Sequence, residues 1–239
     1  MAEYVCTGTT PTRRRTIIRA ARFPKTSIVA QYGYASEGLV NFLADDNRNL
    51  RHLAAMRDRL ERRAARPEAT PWIKRDCQFS IEAIDAFERN YNRLGFPKLD
   101  CRPVTGRLPY LDDWRTRISV ALDVTIHKPV RGEDDHLGGA LFFFSRGEAS
   151  TKARIERAKT VAGLIYTLCD RHLGKMGHAD PALCFAVDVF AGVRHAPQGT
   201  FARKLAHIQE ACEEVADRWK LYEKLAAGGP QAAANGGAS

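Results

Sequence analysis

The sequence predicts an α+β fold, with a basic helical N-terminal half and a C-terminal half in which a small, mostly antiparallel sheet packs against two long helices. Two patterns support this prediction. Apolar residues recur at helical spacing within residues 36–94, whereas they alternate with polar ones over residues 118–127 before helical spacing returns at 150–173 and 200–224. With 239 residues, 44% of them hydrophobic, the chain can bury a core without disulfides or metal.

Changes in composition divide the chain into five expected segments. Residues 1–35 are predicted to form a basic arm, because three consecutive arginines lie there without periodicity. A helical subdomain (36–95), a proline-rich connection (96–116), an α+β subdomain (117–225) and a disordered, low-complexity tail (226–239) follow.

Three helices are expected in the helical subdomain. Leu39, Val40, Phe42 and Leu43 give the first an apolar face that starts near Ser36. The second runs from about residue 47 to 66 and ends before a proline-containing segment, and the third covers about 79–94.

Strands are expected beyond the proline-rich connection. Residues 118–127 alternate between apolar and polar side chains, residues 129–137 have the composition of a turn, and residues 138–145 form the partner strand. A helix over 150–173 precedes a largely apolar strand at 183–195, and the last helix covers about 200–224.

The positive charge of the chain is concentrated near its N-terminus. The formal net charge is +9, and residues 1–66 hold thirteen Lys or Arg against six Asp or Glu. Such an asymmetry is typical of proteins that bind a polyanion, although net charge also favours solubility. Nucleic acid is therefore the expected partner.

Five arginines of the second predicted helix recur at a spacing of three or four residues, together with Ala55, and would share one face about 27 Å long. These are Arg48, Arg51, Arg59, Arg62 and Arg66. With Arg13, Arg14 and Arg15 of the arm they form the candidate nucleic-acid-binding set, which would contact phosphates and release counterions. A solvated helix face, or a site for an acidic protein, is the alternative. No base-reading motif occurs, so contacts would be largely to the backbone.

Asp123 and Asp188 each interrupt an apolar strand, where a carboxylate is costly unless it is paired, hydrogen-bonded or bound to metal. If they converged they could be the catalytic and metal-binding pair of an Mg²⁺- or Mn²⁺-dependent nuclease, with Glu156 as a third catalytic residue. The order of elements resembles ribonuclease-H-like nucleases in topology only, and it departs from them because one hairpin replaces three meandering strands. The alternative is structural: both carboxylates pair with Arg or His, or accept backbone hydrogen bonds.

The leading hypothesis is thus a nucleic-acid-binding or accessory protein that requires no cofactor. The metal-dependent nuclease and a subunit of a protein assembly, built through homo-oligomer or other protein contacts of the last helix, are the alternatives. The sequence has no glycine-rich phosphate loop, no Cys-x-x-Cys pair and no apolar run long enough for a membrane span. The six cysteines are expected to be reduced thiols, which predicts a cytoplasmic location.

Overall fold

The computed structural model describes residues 4–5, 9–22, 32–112, 114–132, 134–146, 152–197, 199 and 201–227, with the side chains of 22 and 222–227 excepted. These residues form six α-helices and one five-stranded sheet, which confirms the α+β prediction. The helices are α1 (Pro11–Arg22), α2 (Gly33–Ala44), α3 (Arg51–Ala64), α4 (Pro71–Asn90), α5 (Lys152–His172) and α6 (Phe201–Ala227). The strands are β1 (Asp100–Pro103), β2 (Val124–Lys128), β3 (His136–Phe143), β4 (His178–Asp188) and β5 (Val193–His195).

The sheet is small and mostly antiparallel, as predicted. Its strands lie in chain order, and only β3 and β4 are parallel, because α5 carries the chain back between them. β1 with β2, β2 with β3, and β4 with β5 all pair in antiparallel fashion.

Helices cover both faces of this sheet. On one face, α2, α3 and α4 share a core with strand residues such as Val124, Phe142 and Phe185. On the other face, α5 and α6 pack over a second core that includes Leu137 and Cys184. The expected helical subdomain, residues 36–95, therefore has no core of its own, because its apolar side chains are buried against the sheet.

Residues 11–22 of the expected arm form a helix rather than an irregular segment. Ile18 of α1 is 2% exposed and lies in a small apolar cluster with Tyr4 and Ala211 of α6. The helix depends on this contact with α6, which the local sequence of the arginine-rich segment does not reveal. Most of the expected disordered tail lies outside the described residues, and its first two residues end α6.

The expected connection over 96–116 contains a short 3₁₀ turn, Phe96–Lys98, and then β1. The meander β1–β2–β3 thus has three strands where one hairpin was expected. The parallel strand β4 joins this meander at its last strand, β3.

The predicted apolar strand at 183–195 is two strands, since a tight turn interrupts it. The Asp188 carboxylate accepts a hydrogen bond from the Ala191 N–H at 3.1 Å, and Gly192 has a left-handed φ of 60°. Residues 118–123 of the strand predicted over 118–127 precede β2, and Ile118 forms an isolated bridge with Leu111.

Two local features fix helix positions near the candidate site and the second core. α4 begins eight residues before its predicted start because Pro71 occupies the first turn and the Thr70 side chain accepts a hydrogen bond from the Ile73 N–H. In α5, Gly163 faces the ring of Phe201, and a side chain at that position would collide with the ring.

Within the described part of the chain, the helices lack a stretch long and apolar enough to cross a membrane.

Candidate nucleic-acid interface

The arginines of α1 lie on the α5–α6 side of the molecule. Arg14 forms an ion pair with Glu214 of α6 at 3.6 Å, and its guanidinium lies over the ring of Tyr4. Arg13 and Arg15 are exposed. Since α3 covers the opposite face of the sheet, the arginines of α1 and those of α3 do not form one continuous surface.

Arg48 has a structural position rather than a place on the helix face. It precedes α3, has a left-handed φ of 48°, and its guanidinium donates to the carbonyls of Leu43, Asp45 and Leu99. Those bonds satisfy carbonyl groups at the end of α2 and tie them to the chain that enters β1. Arg48 is thus unavailable to a phosphate in this conformation.

The other four predicted arginines are exposed, and three of them lie on α3. Arg51, Arg59 and Arg62 share one helix face, which spans about 17 Å between its first and last member. Arg66 follows two residues after the end of α3. Arg59 forms an ion pair with Glu37 at 2.9 Å, whereas within the described residues Arg51, Arg62 and Arg66 have no carboxylate within 4.0 Å.

Two further arginines of α3 point elsewhere, and one of them is structural. Arg57 lies between α3 and α4, where it pairs with Asp85 at 2.8 Å and with Glu88. Arg63 lies on the side that faces α2, with its guanidinium 4.6 Å from the centre of the Tyr34 ring.

A cavity of about 410 Å³ opens where α2, α3 and α4 meet. Its walls include Tyr34, Arg59, Arg63 and Trp72, and the carboxylates of Glu37 and Asp76 also line it. Arg59 lies over the Tyr34 ring at 4.8 Å, so two guanidiniums contact one aromatic side chain. Sequence reasoning missed this site because its walls come from α2, α3 and α4, and no local pattern brings Tyr34, Arg59 and Trp72 together. The one signal that could have found this site is Trp72, a tryptophan next to Pro71 at the start of α4.

Exposed Lys74 and Arg75 extend the positive charge onto the first turns of α4. We define the arginine surface as the exposed side chains of α3 and the start of α4: Arg51, Arg59, Arg62, Arg66, Lys74 and Arg75. Residues 51–76 hold eight Lys or Arg against four Asp or Glu. The surface is therefore positive as a whole, although exposed Asp58, Glu61 and Glu68 lie among its cations and Asp76 lines the cavity beside it.

Asp123 immediately precedes β2 and is partly buried. Its carboxylate accepts a hydrogen bond from the Ser36 hydroxyl at 2.6 Å and another from the Phe142 N–H at 2.7 Å. Burial raises the pKa of this carboxyl, and the two hydrogen bonds oppose the rise. Asp123 thus joins α2 to β3.

Asp188 lies at the end of β4 and is 4% exposed. It forms an ion pair with Arg154 of α5, and Glu156 forms one with Lys204 of α6. Arg154 also donates to the Ser145 carbonyl at 2.8 Å. Asp188 and Glu156 are thus both engaged in contacts between elements.

The candidate catalytic residues do not converge on an open face. Asp123 bonds to α2 and Asp188 to α5, and these helices cover opposite faces of the sheet. In the described part of the chain, no group of three His, Cys, Asp or Glu side chains is placed to hold a metal ion. The placement gives the nuclease hypothesis, with Mg²⁺ or Mn²⁺ at Asp123 and Asp188, no support, and it stays an untested prediction.

Comparisons with protein-family models, curated proteins and solved structures find no significant match to this chain.

Proposed function

We propose that the protein binds nucleic acid through the arginine surface of α3 and α4, mainly by contacts with the phosphate backbone. The observation that carries this proposal is the pair Arg62 and Arg66. Both are exposed, they lie four residues apart, and no carboxylate within the described residues neutralises them. A planar guanidinium can donate two parallel hydrogen bonds to one phosphate, so such a pair suits two phosphates.

The rigidity of α3 also supports the proposal. Leu53, Met56 and Leu60 anchor the helix in the core, and Arg57 joins it to α4 through two carboxylates. Arg51, Arg59 and Arg62 therefore project from a fixed support, with Arg66 just beyond its end, and less conformational entropy is lost when they bind.

Phosphate contacts would position the nucleic acid without reading its sequence. Arg13 and Arg15 would serve at most as a separate contact, since α1 lies on the other side of the sheet.

We also propose a cytoplasmic location. The five described cysteines, all free and buried, are the observation that motivates it.

The experiment that tests the proposal is fluorescence anisotropy with labelled oligonucleotides at salt concentrations between 50 and 200 mM. The double variant Arg62→Ala/Arg66→Ala is compared with the wild type. We expect weaker binding at 50 mM salt and a loss of about 1.4 to 1.8 from the slope of log affinity against log salt, because two phosphate contacts disappear.

A matched control variant removes two positive charges from α6, which lies on the opposite side of the sheet. Arg203 and Lys220 are exposed on α6, so Arg203→Ala/Lys220→Ala lowers the net charge by two without altering the arginine surface. The control is expected to keep the wild-type slope to within about 0.5. Equal losses in both double variants would show that only net charge matters, and unchanged binding in the Arg62/Arg66 variant would refute the proposal.

A further inference from the structure

The cavity between α2, α3 and α4 has walls unlike the rest of the arginine surface. Trp72 is half-buried and Tyr34 is partly covered by two guanidiniums, so two aromatic side chains line one opening. Its volume of about 410 Å³ falls within the range of small-molecule sites, about 300–1,000 Å³. The cavity can thus admit a planar group of moderate size.

Two carboxylates make the cavity unsuitable for a phosphate group. Glu37 pairs with Arg59, and Asp76, which is 5% exposed, has its carboxylate 4.0 Å from Arg63. A phosphate that entered would compete with both carboxylates for the same guanidiniums and would be repelled by them. The phosphates of a bound strand would therefore remain outside, on Arg62 and Arg66.

A nucleobase fits the same walls without that conflict. Its flat faces can stack on aromatic side chains and on guanidinium planes, and its edge carries N–H groups that a carboxylate accepts. Glu37 is the exposed acceptor in the cavity, since Asp76 is 5% exposed and already accepts a hydrogen bond from the Tyr32 N–H at 3.4 Å. Arg59 and Arg63 can donate to the carbonyl or ring nitrogen of a base.

The cavity adjoins the arginine surface directly, since Arg59 belongs to both. A strand whose phosphates follow α3 would bring its bases to the opening only if those bases were unpaired, because paired bases are stacked inside the duplex. We propose that this cavity receives an unpaired base, so that the protein binds single-stranded nucleic acid in preference to duplex. This inference rests on the proposed function of the arginine surface.

The test separates the base from the backbone by comparing an intact strand with an abasic strand of the same length. Both carry the same phosphates, but the abasic strand has nothing to stack. DNA and RNA versions of each strand, and a duplex of the same sequence, complete the set of probes, with anisotropy as the readout. We expect the wild type to bind at least one intact strand about tenfold more tightly than its abasic counterpart and than the duplex.

The variant Trp72→Ala removes one aromatic wall and is expected to bind intact and abasic strands equally, while it retains the wild-type dependence on salt. Tyr34→Ala is the second variant, and circular dichroism establishes that each is folded. The Arg62→Ala/Arg66→Ala variant should show the reverse behaviour, with weaker binding overall but an unchanged ratio of intact to abasic affinity.

The results distinguish the base site in the cavity from backbone binding on the arginine surface. Equal wild-type affinity for intact and abasic strands would overturn the base site and leave backbone binding in place, whether or not the variants fold. A preference for intact strands that persists in both folded variants would also overturn the site. If no probe binds at 50 mM salt, the proposed function fails, and the base site fails with it.

Discussion

Asp188 and Arg154 form an ion pair that is largely shielded from water, with side chains 6% and 16% exposed. The pair joins the end of β4 to the first turn of α5, next to the turn that starts β5. A buried ion pair is not by itself strongly stabilising, but removal of one partner leaves the other uncompensated. The contribution of these residues to stability should therefore appear mainly when they are changed singly.

We expect Arg154→Met to lower the free energy of unfolding by about 3–5 kcal/mol, because the Asp188 carboxylate loses its partner inside the protein. The double variant Arg154→Met/Asp188→Asn should recover a substantial part of that loss. Equilibrium unfolding in urea measures both. A single variant as unstable as the double one would contradict the assignment.

Asp123 differs from Asp188 because none of the Lys, Arg or His side chains that the structure describes forms an ion pair with it. Its raised pKa means that the folded state favours the protonated carboxyl relative to the unfolded chain, whose value is near 3.8. The contribution of Asp123 to stability is therefore greatest below pH 3.8 and declines as pH rises through the folded-state pKa.

The isosteric variant Asp123→Asn removes this dependence on pH. The amide can accept from the Phe142 N–H and donate to the Ser36 hydroxyl, so both contacts survive without a charge. We expect the variant to be more stable than the wild type at pH 7, with an advantage that shrinks as pH falls through the folded-state pKa and is smallest below pH 3.8. Melting temperatures at several pH values test this, and an advantage that grew towards pH 3 would count against it.

Sequence reasoning was informative about which residues are unusual but not about their partners. Asp123 and Asp188 could be singled out because each is a carboxylate within an apolar stretch of the sequence, although Asp123 lies just before β2 and Asp188 ends β4. The partner of Asp123 is Ser36, 87 residues away, and no local pattern connects the two. Arg48 fitted a helical spacing, yet its left-handed backbone places it outside α3, where it binds carbonyls.

At the scale of the element, α4 shows how a capping residue positions a candidate binding side chain. Thr70 has an extended backbone, and its hydroxyl accepts from the Ile73 N–H at 3.3 Å. Trp72 lies in the first turn, so the start of this helix fixes where the indole enters the cavity. Loss of the cap should fray that turn.

We expect Thr70→Ala to destabilise the protein by about 1 kcal/mol and Thr70→Ser to restore most of that loss, because serine supplies the same hydroxyl. Thermal unfolding measures the effect on stability. If the cap also positions Trp72, the alanine variant should lose part of the preference for an intact strand over an abasic one.

Elements with a long apolar period could be predicted from the sequence, whereas short or tertiary-dependent ones could not. The periodicity of α5 and α6 placed both within a few residues of their observed bounds. β1 has only four residues and exists because it pairs with β2, and α1 is held by Tyr4 and Ala211. Such contacts join distant parts of the chain, so periodicity alone does not reveal them.

At the scale of the whole molecule, the sheet is shared by two helical layers. Phe142 of β3 is 5% exposed and contacts the rings of Phe87 and Phe96, which belong to the helical half and to the turn that leads into β1. The expected boundary near residues 96–116 therefore does not separate two cores. The change in composition there reflects the passage from a helical layer to the sheet that it covers.

The shared sheet predicts one cooperative unfolding transition. Trp72 reports on the first layer, and Trp114 and Trp219 report on the second. Variants that keep only one of these groups, with the others changed to phenylalanine, should give coincident urea midpoints. Two separated midpoints would show that the halves unfold independently.

Phe142→Ala should lower the stability of both layers together, by about 3–5 kcal/mol, since it leaves a cavity in the first core and the sheet joins that core to the second. The same two sets of tryptophan variants provide the measurement. A loss confined to the signal of one layer would contradict coupling through the sheet.

Gly163 has a consequence that reaches beyond its own turn of helix. Because Gly163 bears no side chain, the ring of Phe201 packs directly against the α5 backbone. The first turn of α6 is therefore separated from α5 only by the thickness of that ring. A methyl group at position 163 would push the Phe201 ring, and with it the start of the 27-residue helix α6, away from α5. Because α1 packs against α6, we expect both helices to shift relative to the sheet.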